Sequence, residues 1–176
     1  MGKIIKFIVP VLFFLFFARE NSAEALQITS KAFKDGERIP LKYTGLSYNM
    51  SPPLSWKDVP EGTKSFVLTV EDPDASGGTW VHWVAYDIPA GERFLRPNLP
   101  LRGILPNGMK QGLNSFHTPG YGGPYPPPGP VHRYIFTLYA LDILLNLPPG
   151  QDKQTVVSVM EGHILRQSEL TGLFGR

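Results

Sequence analysis

Three stretches of the chain carry a two-residue hydrophobic period. Ser65–Glu71 (SFVLTVE) reads as a strand and runs into a loop, Asp72-Pro73-Asp74-Ala75-Ser76-Gly77-Gly78. Trp80–Ile88 (WVHWVAYDI) is the second; alternation places Trp80, His82, Val84 and Tyr86 on one face and Val81, Trp83 and Ala85 on the other. His132–Leu141 (HRYIFTLYAL) is the third. Both faces of the last two are largely apolar, which predicts strands covered on both sides, as in a sandwich core. Ile39–Tyr43 is a shorter strand candidate after the turn Lys34–Glu37. Tyr48–Trp56 is polar and broken by Pro52-Pro53, which excludes a central strand and leaves room for a cis bond. Its Asn49-Met50-Ser51 sequon carries little weight, because Pro52 follows it.

Pro89–Gly120 has weak periodicity and many turn signals, and reads as a long irregular excursion. Thr155–Glu169 is the one predicted helix. Val156, Met160 and Ile164 lie four apart and form an apolar stripe, although Gly162 interrupts it.

The N-terminus follows a different pattern. Lys3 and Lys6 precede the uncharged run Phe7–Ala18, and Ala23-Glu24-Ala25 supplies a small-residue cleavage pattern. A membrane span needs roughly 20 apolar residues. The run therefore reads as a cleaved signal peptide over 1–25, which makes the protein exported, periplasmic or secreted, with no membrane span after cleavage. Residues 26–176 then form a single domain.

Composition narrows the function. Removing 1–25 leaves 14 basic against 13 acidic residues, without the basic footprint of a nucleic-acid binder. No Cys is present, which excludes a disulfide scaffold and a thiol enzyme. Gly and Pro are abundant, at 18 each, yet 42% of residues are hydrophobic, so many short strands with stiff loops fit better than disorder.

Polar groups gather in three places. Asp72 and Asp74 flank Pro73 at a strand end; spacing alone favours turn carboxylates capping backbone N–H groups. His82 shares its predicted face with Trp80 and Tyr86, which suits either a core histidine or an aromatic-lined pocket. His117–Pro130 holds six Pro and four Gly in fourteen residues, and His132 and Tyr134 follow on one strand face. Gly122 and Gly123 are candidates to present backbone N–H groups to an anion. Imidazoles, a phenol, a Gly loop and carboxylates together suit a small phosphate-type anion.

These residues resemble the phosphatidylethanolamine-binding protein family, also called the Raf kinase inhibitor protein family, and in particular its bacterial members. The resemblance runs through Phe33-Lys34-Asp35-Gly36, Ser51-Pro52-Pro53-Leu54-Ser55-Trp56, Asp72-Pro73-Asp74-Ala75 and Trp80-Val81-His82-Trp83. It continues through Gly112-Leu113-Asn114, Tyr121–Pro127, His132-Arg133-Tyr134 and Gly162-His163. It implies a mainly β fold, a β-sandwich with few helices, one of them near the C-terminus. It also implies an anion pocket at one end of the sheets, built from Asp72, His82, the loop around Gly123 and Tyr125, His132 and Tyr134. Trp80 and Pro127 would lie at its rim, and Asp74 beside Asp72.

Three features depart from the family pattern. Ser76 stands where the family has Pro, Tyr125 stands where bacterial members often carry Cys, and Arg176 follows soon after the predicted helix, without the extra C-terminal helix of animal members.

The expected function is non-catalytic binding of phosphate, phosphorylethanolamine or a phospholipid headgroup, with no cofactor, no metal and a headgroup-sized ligand. Regulation of an unidentified protein partner is the role the family adds, and a homodimer fits a Pro-rich surface. The competing reading is a metal-assisted phosphoester hydrolase using Asp72, Asp74, His82 and His132. Neither Gly-x-Ser-x-Gly nor His-Glu-x-x-His is present to support an enzyme.

Overall fold

The computed structural model describes residues 25–176. The predicted signal peptide lies outside them, except for Ala25. Two sheets face each other. The smaller contains β1 (Gln27–Thr29), β3 (Leu54–Lys57) and β6 (Phe94–Leu95), in the order β1-β3-β6. The larger runs β2-β9-β8-β4-β5-β7, with β2 at Glu37–Arg38, β4 at Ser65–Asp72 and β5 at Trp80–Pro89. Its other strands are β7 (Lys110–Gln111), β8 (His132–Leu141) and β9 (Ile164–Phe174). The expected β-sandwich is the fold.

The larger sheet is covered on both faces, as the doubly apolar strands predicted. Phe66, Leu68 and Val70 of β4 and Phe136 and Leu138 of β8 pack with Ile28, Leu54, Trp56 and Leu95 from the smaller sheet. Val67, Val84, Tyr86 and Leu141 emerge on the opposite face, under Leu145 and the helix residues Val156 and Met160. Alternation along β4 and β8 decides which of their residues enters which layer.

Four sequence expectations change. The helix α1 spans only Lys153–Met160, not Thr155–Glu169. Asp152 caps it by accepting from Thr155 N at 2.8 Å. Beyond Met160 the chain turns through Gly162, whose φ of +79° is a left-handed conformation that glycine adopts without penalty. The remainder becomes β9, paired with β8 from His132↔Phe174 to Leu141↔Ile164. The ladder to β8 and burial of Leu170 and Phe174 outweigh the helical period, and Ile164 ends up 40% exposed.

Ile39–Tyr43 is not a strand. Ile39 N donates to Leu173 O, and then Leu41–Tyr43 forms a single 3-10 turn in which Tyr43 N donates to Pro40 O. The tail of the Tyr48–Trp56 segment does become a strand, β3, while Pro52-Pro53 stays outside it with trans peptide bonds.

The fourth change concerns β5. Val70 pairs with Trp83 and Glu71 with Val81, so His82 is the additional residue of a β-bulge. The bulge breaks the expected face. Val84 and Tyr86 lie in the helix-side layer, whereas His82 turns to the sandwich side beside Tyr134, with ring centroids 5.1 Å apart.

Candidate functional site

β4 is antiparallel to both of its neighbours. Its C-terminal end therefore meets the N-terminal ends of β5 and β8. Asp72 closes the inward row Phe66, Leu68, Val70; His132 and Tyr134 begin the inward row that continues through Phe136 and Leu138. Trp80 pairs with Asp72, and the bulge delivers His82 to the same side. The site is thus the polar end of the main core.

Asp72, Trp80, His82, Tyr125, Pro127, His132 and Tyr134 line one cavity of about 400 Å³ with Phe116, Pro126 and the loop Ala75–Thr79. Seven of the nine site residues expected from sequence are together there. Asp72 and His132 are buried, and Asp72 Oδ2 accepts from His132 Nδ1 at 2.8 Å. Asp72 Oδ1 accepts from Asp74 N at 2.9 Å, the turn cap that spacing suggested. His82 Nδ1 lies 2.5 Å from Gly122 O. A carbonyl only accepts, so this nitrogen carries a proton. In both rings Nε2 is left without a protein partner among the described residues. The buried Tyr134 hydroxyl also has none.

The electrostatics follow from burial. Desolvation lowers the His82 pKa from the ordinary imidazole value, against the opposing pull of the Gly122 carbonyl and Asp72. Burial, reinforced by the Asp72 charge, pushes the Tyr134 phenol well above its usual range and keeps it a donor. Tyr134 therefore offers a hydroxyl donor, and a neutral His82, its Nδ1 proton directed at Gly122 O, offers Nε2 as an acceptor.

Asp74 and Gly123 do not line this cavity. Asp74 turns outward and binds the backbone and guanidinium of Arg133, at 2.7 Å to Nη2, which holds its carboxyl at about 2. The Gly-loop N–H groups face away from any anion. Gly122 N donates to His82 O, and Gly123 N donates to Asn49 Oδ1 at 2.6 Å. The glycines are needed for space instead. A Cβ on Gly123 would stand 2.5 Å from Tyr43 O, and one on Gly122 would stand 2.6 Å from the Phe116 ring. Asn49 thus anchors the loop, which gives the sequon asparagine a structural role.

Sequence reasoning missed Phe116 and its support. Phe116 packs edge-on against Trp80, at 5.3 Å, and against His82, at 5.6 Å. Buried Asn114 holds its loop: Oδ1 accepts from Phe116 N and Thr118 N, and Nδ2 donates to Gly120 O. An isolated aromatic between turn residues was the available signal. Among the described residues, no group of three or more His, Cys, Asp or Glu side chains is arranged to hold a metal ion. Asp74, engaged by Arg133, cannot serve the metal set considered above.

Comparison with known proteins agrees with this geometry. The family model for phosphatidylethanolamine-binding protein matches residues 29–175. A UPF0098 protein of Methanothermobacter thermautotrophicus is 48% identical over 86% of this chain and 99% of its own length. The Escherichia coli UPF0098 protein YbhB is 38% identical over 85% of this chain and 99% of its own. Among solved structures, Escherichia coli YbcL superposes with a TM-score of 0.80 at 35% identity, covering 86% of this chain and 98% of that one. The homolog CT736 of Chlamydia trachomatis superposes with a TM-score of 0.78 at 39% identity, over the same shares. The chain therefore belongs to the phosphatidylethanolamine-binding protein family.

Proposed function

We propose that the protein is an exported, non-catalytic binding protein whose pocket holds a phosphate-type anion, free or as a phospholipid headgroup. Family membership supports a binding protein. The observation that carries the finer reading is the set of polar atoms left unspent at one cavity. Tyr134 hydroxyl is buried without a partner, and His82 and His132 each have Nδ1 bound and Nε2 open. A buried hydroxyl without a partner is costly, and a ligand oxygen would satisfy it. A monoprotonated phosphate matches the set, because its oxygens accept from Tyr134 and its hydroxyl donates to a neutral imidazole. Asp72 fixes the orientation of His132 and leaves that ring as a binding group.

Export rests on the N-terminal sequence, and no helix among the described residues is long and apolar enough to cross a membrane. Occupancy of the pocket is the signal by which it regulates another protein, the role that the family resemblance brings.

Thermal unfolding with phosphate and phosphorylethanolamine tests the reading. A ligand that binds only the folded state raises the melting temperature. The expected result is a rise with millimolar ligand that His132→Ala removes. No rise in the wild-type protein with either compound would defeat the proposal. Metal-dependent turnover of a phosphodiester would favour the hydrolase reading.

A further inference from the structure

A groove of about 780 Å³ lies on the helix-covered side of the larger sheet. One bank is the α1 face that carries Gln154, Val157 and Ser158, with Glu161 just beyond the helix; the other is the loop Leu113–His117, and Val81 of β5 joins them. The groove follows from the shortness of α1. Eight residues of helix span about 12 Å, whereas the ten residues of β5 span about 33 Å. Val84 and Tyr86 are buried with the helix residues Val156 and Met160, but Val81 and Val157 are only partly buried. Leu113 is 38% exposed. A concave, largely apolar wall enclosing roughly 300–1,000 Å³ with a few polar groups is the usual form of a small-molecule site.

The groove is separate from the anion pocket. Ser115 and His117 line the groove, while Phe116 between them lines the pocket, so this loop is a wall common to both. Val81 lines the groove, while Trp80 and His82 on either side of it line the pocket.

The charges of the groove select its occupant. Lys153 Nζ is answered by Glu71 Oε1 at 2.6 Å. Asp152 accepts from Thr155 N, a bond that holds its carboxyl below the ordinary range. Glu161 has no ion pair among the described residues. The last turn of α1 holds no basic residue, so the negative end of the helix is also uncompensated there. Asn114 and Ser115 are already engaged, with their own loop and with Val81 N. The open groups at the rim are therefore two carboxylates, the Gln154 amide and the His117 ring, each of which can accept.

From this we propose that the groove is a second ligand site, for a small primary amine with an alkyl or arylalkyl body: the body covers Val81, Leu113 and Val157, and the ammonium sits at the Glu161 end. An ammonium carries three donors and no acceptor, which matches the open groups. The site uses no group of the anion pocket.

Titration of the isotope-labelled full chain with hexylamine, hexanol and hexanoate, followed by amide chemical shifts, tests this at pH 8, where ordinary imidazoles are neutral and alkylamines charged. The expected result is that hexylamine binds about threefold to fivefold more tightly than hexanol, the range of an exposed ion pair, and hexanoate most weakly. The largest shifts should fall at Leu113, Val157 and Glu161. Octylamine should bind about fivefold more tightly than hexylamine, from two further methylenes on apolar surface. Glu161→Gln should remove the preference for the amine over the alcohol. Ser158→Trp, at an exposed position on the groove, should weaken hexylamine at least fivefold; Gln154→Trp, a second exposed position, guards against misfolding of the first. His132→Ala should bind hexylamine as the wild-type protein does, so failure of the anion reading is read separately. Binding of none of the probes overturns the proposal, as does hexylamine binding no tighter than hexanol or binding that survives both tryptophan variants. A dimer seen in sedimentation velocity and dissociated by Ser158→Trp would make a second copy the occupant and also overturn it.

Discussion

His132 Nδ1 stands 2.8 Å from Asp72 Oδ2, a contact between residues sixty positions apart that joins the first turn of the site to its last strand. Both side chains are buried, at 6% and 3% exposure, so the pair orients an imidazole inside the protein rather than decorating its surface. Asp72 also receives Asp74 N, so one carboxylate holds the loop and the ring together.

Replacing Asp72 tests that double role. Asp72→Ala leaves the His132 N–H and the Asp74 N–H without their acceptor. A buried hydrogen bond to a charged group contributes about 1.5–3 kcal/mol, and a loss in that range is expected in urea unfolding. Phosphate affinity should fall about tenfold or more as the ring loses its orientation. Unchanged stability together with unchanged affinity would show that the pair has no part in either.

Anion binding should consume protons. With Nδ1 of His82 protonated toward Gly122, a neutral ring leaves Nε2 as an acceptor, and a fully deprotonated phosphate oxygen finds no donor there. The missing proton must reside on the ring or on the phosphate, whose monoesters lose their second proton near pH 6. Affinity therefore falls as pH rises through about 6–7. Titration calorimetry in two buffers of different ionisation enthalpy reads the uptake directly. A flat affinity from pH 5 to 8 contradicts this assignment.

His82 also predicts how stability responds to acid. Burial lowers its pKa in the folded state, while the unfolded chain titrates near 6.5. Below that value the unfolded chain binds a proton that the folded pocket resists. The His82 contribution is therefore fully present above about pH 6.5 and is lost as pH falls toward the folded pKa. The urea midpoint should drop between pH 7 and pH 5 in the wild-type protein and drop less in His82→Gln. Equal slopes would assign the acid sensitivity to other groups.

Two neighbouring glycines should behave differently. A Cβ at Gly123 meets the backbone of Tyr43 and Thr44, which cannot yield locally. Gly123→Ala is expected to cost about 1–3 kcal/mol, the range for overpacking. A Cβ at Gly122 meets the Phe116 ring, a side chain that can swing away. Gly122→Ala should cost less stability and instead change the fluorescence of Trp80, the neighbour of Phe116. The reverse order of stabilities would contradict the close approach at Gly123.

Gly162→Ala provides a control away from the pocket. Nothing lies within 4 Å of its Cβ position, so only the left-handed backbone is penalised. A loss of about 1 kcal/mol with unaltered phosphate affinity is expected. A change in affinity would mean that the α1–β9 junction communicates with the site.

The sequence by itself determined three of the four long strands, β4, β5 and β8, because period-two alternation is a local property that burial on both faces only reinforces. Its motifs also identified seven residues that share the cavity. Other features depended on partners distant in the chain. The first half of β9, Ile164–Glu169, has a helical pattern by itself, since Ile164 continues the four-residue spacing of Val156 and Met160; its pairing with β8 makes it a strand. Asp74 was grouped with Asp72, but Arg133 draws it outward. The Gly-loop amides looked ready for an anion, but His82 O and Asn49 Oδ1 occupy them. The side on which His82 lies was set by a bulge, which exists only in the pairing of β4 with β5. Phe116 gained meaning only where two cavities meet. Local periodicity shows where a strand runs and which residue types it carries. Which atoms remain unspent depends on hydrogen-bond partners tens of residues away, and those are set by how the strand ends meet in the folded sheet.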